Sequence, residues 1–104
     1  MISVIATIEL RPGTRDAYLP HLIANLPLVR AEAGCIEYVP MLDVASGLPA
    51  QGPVRENVIV ISEKWSSLEA LHAHLAAPHM GTYRTRVKDY VARVSLDVLT
   101  PLQT

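Results

Sequence analysis

Residues 57–83, NVIVISEKWSSLEALHAHLAAPHMGTY, switch hydrophobic period partway along and thereby decide how the chain folds. From 57 to 65 the pattern is that of a strand. Its period of two puts Ile59, Ile61, Glu63 and Trp65 on one face and Val58, Val60, Ser62 and Lys64 on the other. Ser66 or Ser67 then caps a short helix, with Glu69 in its first turn. Leu68, Leu71, His72 and Leu75 share one side of that helix, and Ala70, His74 and Ala77 another. Pro78 breaks it, and the spacing of Met80, Tyr83, Val87, Tyr90 or Val91, and Val94 predicts a third helix from about His79 to Arg93.

Working outward, residues 2–10 (ISVIATIEL) are apolar and β-branched and read as a first strand. Arg11-Pro12-Gly13 is a turn, after which Gly13 or Thr14 caps a helix to about Ala33. Leu19, Leu22, Ile23, Leu26 and Val29 recur at helical spacing, and a kink is expected near Pro20 or Pro27, above all at Pro27. Gly34 ends the helix. Residues 35–43 (CIEYVPMLD) form a second strand, at an edge or bulged because Pro40 has no donor for a ladder. Residues 44–56 make the one long loop, and residues 95–101 a fourth strand. The order βαββ(αα)β is an α+β, ferredoxin-like unit with an antiparallel sheet. Helices cover one sheet face. The other is also apolar and is expected to pair with a second copy of the chain.

The 104 residues make a single domain, 1–104. Half are apolar, and mean hydropathy is +0.25. A chain this short buries only roughly two-thirds of its unfolded surface, so apolar surface is left for a partner subunit. Nine basic and ten acidic side chains are dispersed, with formal net charge −1. That excludes the basic stripe of a nucleic-acid binder and a polybasic membrane anchor. No apolar stretch approaches the ~20 residues of a membrane span. The N-terminal MISVIATIEL has no basic n-region, and Cys35 is the sole cysteine, so a reducing cytoplasm is expected. Cys35 itself reads as a small buried hydrophobe.

Three of the four histidines, His72, His74 and His79, fall within eight positions, next to the only tryptophan. Groups that titrate near neutrality beside an aromatic wall suit proton transfer on an organic ring. His74 and His79 are the candidates for a general base. His72, two positions from His74, points elsewhere. Trp65 could wall a flat ligand or anchor the core. Glu63, if buried, must be paired or have its pKa moved; it could orient a histidine or make a structural hydrogen bond. Tyr38, Tyr83 and Tyr90 could reach the same cavity or simply pack. The histidine spacing is not that of a metal site, and no phosphate loop, nucleophile elbow or dinucleotide fingerprint appears.

Three segments carry a resemblance: VIATIELRPG, AEAGCIEYVPMLDVASG and VIVISEKWSSLEALHAHLAAPHMGTYRTRVKDYV. With their GC-x-x-Y-x-PM-x-D, E-x-W and AHL-x-x-PHM runs, the chain resembles the antibiotic biosynthesis monooxygenase family, and within it the bacterial quinol monooxygenases. The resemblance implies a homodimeric α/β barrel. It also implies an oxygenase that uses O2 on a hydroquinone or polycyclic phenol without cofactor or metal. By position it implies Glu63, His74 and His79 as catalytic and Trp65, Tyr38, Met41 and Tyr83 as enclosing the ring. Haem-degrading members of that fold use an Asn in the first strand and a His in the last helix. Here those places hold Ala6 or Thr7 and Arg84 or Arg86, which weakens a haem reading. The competing class is a non-catalytic dimer that binds a small aromatic metabolite.

Overall fold

Alternation of residues with period two folds four segments into one sheet whose helix-facing side is predominantly apolar. The computed structural model describes residues 1–104. Its elements are β1 (Ile2–Leu10), α1 (Arg15–Arg30), β2 (Cys35–Met41), β3 (Val58–Trp65), α2 (Leu68–Ala76), α3 (Pro78–Val87) and β4 (Val91–Leu99). The sheet order is β2-β3-β1-β4, every pair antiparallel. This is the ferredoxin-like α+β arrangement expected from the order of the elements. Val4, Ala6, Ile8 and Leu10 of β1 and Ile59, Ile61, Glu63 and Trp65 of β3 are all buried under the helices, as period two requires. Tyr18, Leu22 and Val29 of α1 close the core over them.

Element boundaries differ from the sequence expectation where two periods overlap. Helix α3 stops at Val87 rather than Arg93, and β4 begins at Val91 rather than Ser95. Tyr90, Val91 and Val94 fit a helical stripe, but the β-branched run VARVSLDVL fits a strand as well. The ladder wins because Arg11 N–H donates to the Tyr90 carbonyl (2.8 Å) and Val91 pairs with Leu10. Helix α1 ends at Arg30 and runs unbroken through both prolines. Pro20 and Pro27 lie on its exposed side, where water can satisfy the carbonyls they leave free. Strand β2 is both an edge strand and bulged, between Cys35 and Glu37.

Two junctions position the site. Gly34 has φ 83°, and a Cβ there would lie 2.6 Å from both Ala70 Cβ and Ser66 Oγ. Only glycine allows the turn after α1 to press against the start of α2, where Ser66 N–H donates to the Gly34 carbonyl (2.8 Å). At the other junction, Ser67 Oγ caps α2 by accepting from Ala70 N–H (3.1 Å), and Pro78 opens α3 at its first turn. The helices leave the β4 side of the sheet uncovered. Val94, Leu96 and Val98 pair with Ile8, Ala6 and Val4 on the helix-facing side, yet stay 53, 41 and 48% exposed.

Candidate active site

The uncovered strip of sheet and the facing helices enclose a cavity of about 460 Å³. Ala6, Ile8 and Ile61 make its floor, Val94 and Leu96 one wall, and Met80, Tyr83 and Val87 of α3 the other. Arg84 of the same helix and Lys88, its C-cap, also line it. Tyr38, Glu63 and His74 supply polar atoms at the end near β2. The lining is predominantly apolar with a few convergent polar groups, the usual make-up of a small-molecule site.

Each polar group is set by its element. Tyr38 on β2 is the cross-strand partner of Glu63 on β3, so both point under the helices. His74, in the last turn of α2, reaches back to the sheet and is 2% exposed. Its ring lies against Trp65 (centroids 4.6 Å apart, 31° between planes) and meets Tyr38 edge-on at 5.6 Å. Trp65 Nε1–H donates to Glu63 Oε1 (2.9 Å). His74 Nδ1 is 2.7 Å from Glu32 Oε2, and a ring nitrogen facing a carboxylate there donates. His74 Nε2 then has no protein partner. Since no occluded side-chain nitrogen or oxygen in the molecule lacks one, Nε2 is not fully occluded, and His74 is among the residues that line the cavity.

Burial sets the ionisation states. Desolvation pushes the Glu63 carboxyl up from 4.5 to about 7, against the lowering effect of the Trp65 hydrogen bond and with a further push from the Glu32 charge. Desolvation also moves His74 down from its ordinary value, although its contact with Glu32 works the other way. Tyr38 and Tyr83 are both raised, first by burial, so both hydroxyls keep their protons. The cavity thus presents an acid that stays protonated towards neutrality and a base that stays neutral.

The structure divides the residues singled out from the sequence. Tyr38, Glu63, His74 and Tyr83 converge on the cavity. Trp65 is fully buried behind His74 and does not line it. Met41 pairs with Val60, a residue of the opposite sheet face, and is 48% exposed there. His79 lies in a second cleft, of about 220 Å³, between α1 and α3. His72 is exposed. The idea that Glu63 orients a histidine gives way to Glu32, because the Trp65 indole occupies Glu63. Sequence reasoning missed Glu32 altogether, as it did Asn25; Met80, read only as part of a helical stripe, joins the same network by accepting from Asn25 Nδ2 at its Sδ (3.2 Å). Glu32 sits in a turn with no periodicity to mark it; the nearby Gly34 was the available signal. No three His, Cys, Asp or Glu side chains are grouped to hold a metal ion.

Comparison with known proteins gives this geometry a setting. The antibiotic biosynthesis monooxygenase family model matches residues 1–86. The protein named probable quinol monooxygenase YgiN from Escherichia coli K12 is 39% identical over 103 residues, covering 97% of this chain and 98% of that one. The solved structure of Rv0793 from Mycobacterium tuberculosis superposes with a TM-score of 0.75 at 32% identity, over 99% of this chain and 96% of that one. PA3566 from Pseudomonas aeruginosa superposes with a TM-score of 0.81 at 26% identity, over 98% of this chain and 94% of that one.

Proposed function

The chain belongs to the antibiotic biosynthesis monooxygenase family, and we propose that it is a cofactor-independent monooxygenase that oxidises a hydroquinone or polycyclic phenol with O2. The observation that carries this reading is His74, whose Nδ1 is held by Glu32 and whose Nε2 has no protein partner, sharing an apolar cavity with the Glu63 carboxyl. A flat aromatic ring lies between the sheet floor and α3, with a hydroxyl at His74. His74 Nε2 takes the hydroxyl proton and leaves a phenolate. Protonated Glu63 and the guanidinium of Arg84 stabilise its charge. The phenolate is electron-rich enough to pass one electron to O2, giving a substrate radical and superoxide, which the dry walls hold together for recombination. Tyr38 and Tyr83 confine the ring, while Trp65 acts from behind by fixing the planes of His74 and Glu63.

Assembly is part of the same reading. The sheet face away from the helices carries Ile5, Thr7, Val39, Val58 and Val60, bordered by the pairs Glu37–Lys64 and Glu9–Arg93. Two such faces pack against each other as a homodimeric α/β barrel, with Met41 in or beside the joint.

Oxygen consumption by metal-stripped protein with menadiol and a panel of polycyclic phenols, corrected for autoxidation, tests the reading. Uptake above background should fall by about 10² or more in His74→Ala. Absence of uptake together with saturable quenching of Trp65 fluorescence would instead make the chain a binding protein for an aromatic metabolite.

A further inference from the structure

Glu32 touches two histidines that open onto different sides of the molecule. Its Oε2 faces His74 Nδ1 at 2.7 Å, and its Oε1 faces His79 Nε2 at 3.3 Å. His74 lines the cavity, whereas His79 is 22% exposed in the cleft between α1 and α3, which it shares with His21 and Arg86. Hydrogen-bond donors can be assigned along this chain. Met80 Sδ has no hydrogen to give, so the Asn25 amide turns its NH2 to the sulfur and its Oδ1 to His79 Nδ1, 3.1 Å away. His79 Nδ1 therefore carries a hydrogen. A neutral His79 then has only a lone pair at Nε2, opposite a carboxylate oxygen that also has only lone pairs. Two bare acceptors at that distance repel, so one proton resides between Glu32 and His79.

We propose that Glu32 is the positioning residue that makes His74 a base, and that His79 is the partner whose shared proton tunes how much of the Glu32 charge His74 meets. This deepens, and rests on, the reading of His74 as the base. When the substrate O–H bond breaks and the His74 Nε2–H bond forms, the proton shared by Glu32 Oε1 and His79 Nε2 shifts further towards His79. More of the Glu32 negative charge then faces the new His74 imidazolium. No electrons are exchanged in the step. The substrate gains one negative charge and the three side chains together gain one positive charge. Arg84 and His79 of α3, Tyr38 of β2 and Glu63 of β3 are the other polar groups around His74. Arg84 and His79 carry no negative charge, burial keeps the Tyr38 proton in place, and Glu63 is held by the Trp65 indole; Glu32 alone touches a His74 ring nitrogen.

Glu32→Gln separates this role from a structural one. The amide oxygen can accept from His74 Nδ1–H and the amide NH2 can donate to His79 Nε2, so every hydrogen bond survives but the charge is gone. With a quinol that the wild-type protein oxidises, kcat should fall about tenfold or more, with KM and the unfolding temperature near wild type. Nitrogen-15 resonances of the rings read the pair without any substrate. Wild-type His74 should carry its hydrogen on Nδ1 with Nε2 bare, and His79 should lose its Nε2 proton in Glu32→Gln. Undiminished kcat in the variant, or a His79 whose Nδ1 is bare, would overturn the assignment. Absence of oxygen uptake by wild-type protein would overturn the monooxygenase reading instead and leave the ring-nitrogen result to stand on its own.

Discussion

Replacing Glu63 with glutamine should make the fold less sensitive to pH. The Glu63 side chain is almost fully buried, and its Oε1 accepts from Trp65 Nε1–H. A glutamine carbonyl can accept the same bond in the same space, so the substitution removes the ionisable group and little else. Burial lifts the carboxyl from 4.5 to about 7. Between those values the folded protein keeps a proton that the unfolded chain releases, so wild-type stability declines as pH rises through that window and levels off above it. A displacement of that size corresponds to about 3 kcal/mol. Wild type and Glu63→Gln should therefore be nearly equal at pH 4, and the variant should be more stable by about 3 kcal/mol at pH 8. His74 slopes the opposite way, since a histidine buried neutral costs stability as pH falls below its ordinary range. It is common to both chains and cancels in the difference. Denaturant melts at one fixed protein concentration, which holds any contribution of association equal in the two proteins, would measure the gap across pH 4–9. Parallel curves would mean that Glu63 ionises as it does in water, and the case for a protonated carboxyl in the cavity would be lost.

Other perturbations probe the neighbouring links. Gly34→Ala should cost about 2–4 kcal/mol in chemical denaturation, because the new methyl meets Ala70 and Ser66 at a left-handed backbone; a cost below 1 kcal/mol would show that the turn after α1 is not pressed onto α2. Trp65→Phe keeps a ring behind His74 but deletes the donor to Glu63, so the Glu63 midpoint should move above about 7, visible by carboxyl carbon-13 titration; a downward move would contradict the hydrogen-bond account. Val60→Asp puts a charge in the middle of the open sheet face, and sedimentation should show a lower mass at a given concentration than wild type; an unchanged mass would remove that face from the proposed dimer joint.

What the chain alone determined follows from local periods. Alternation in NVIVISEKW put Ile59, Ile61, Glu63 and Trp65 on one face of β3, and packing of the helices made that face the buried one. Pro78 set the bend between α2 and α3, whereas Gly34, expected to end the first helix, lies in the turn that follows it, since the helix already stops at Arg30 with Ala31 as its cap. The face of Met41 was legible too, because it stands an odd number of residues from Tyr38 and so on the other side of β2. The motif resemblance gave it a place in the site, but the strand pleat turns it away from the cavity. The α3–β4 boundary was not legible, since Tyr90, Val91 and Val94 satisfy both periods until Leu10 and Arg11 offer them a ladder. Nor was the partner of His74. Glu32 and Glu63 are both carboxylates near the histidines in the fold, and no spacing distinguishes them. Tertiary structure decided: the indole of Trp65 claimed Glu63, and the close approach permitted at Gly34 brought Glu32, 42 residues before His74, onto the ring nitrogen. A period is a property of the backbone and is written along the chain. A hydrogen-bond partner is chosen by which side chains the packed elements bring within about 3 Å, and that is settled only when the turns have closed.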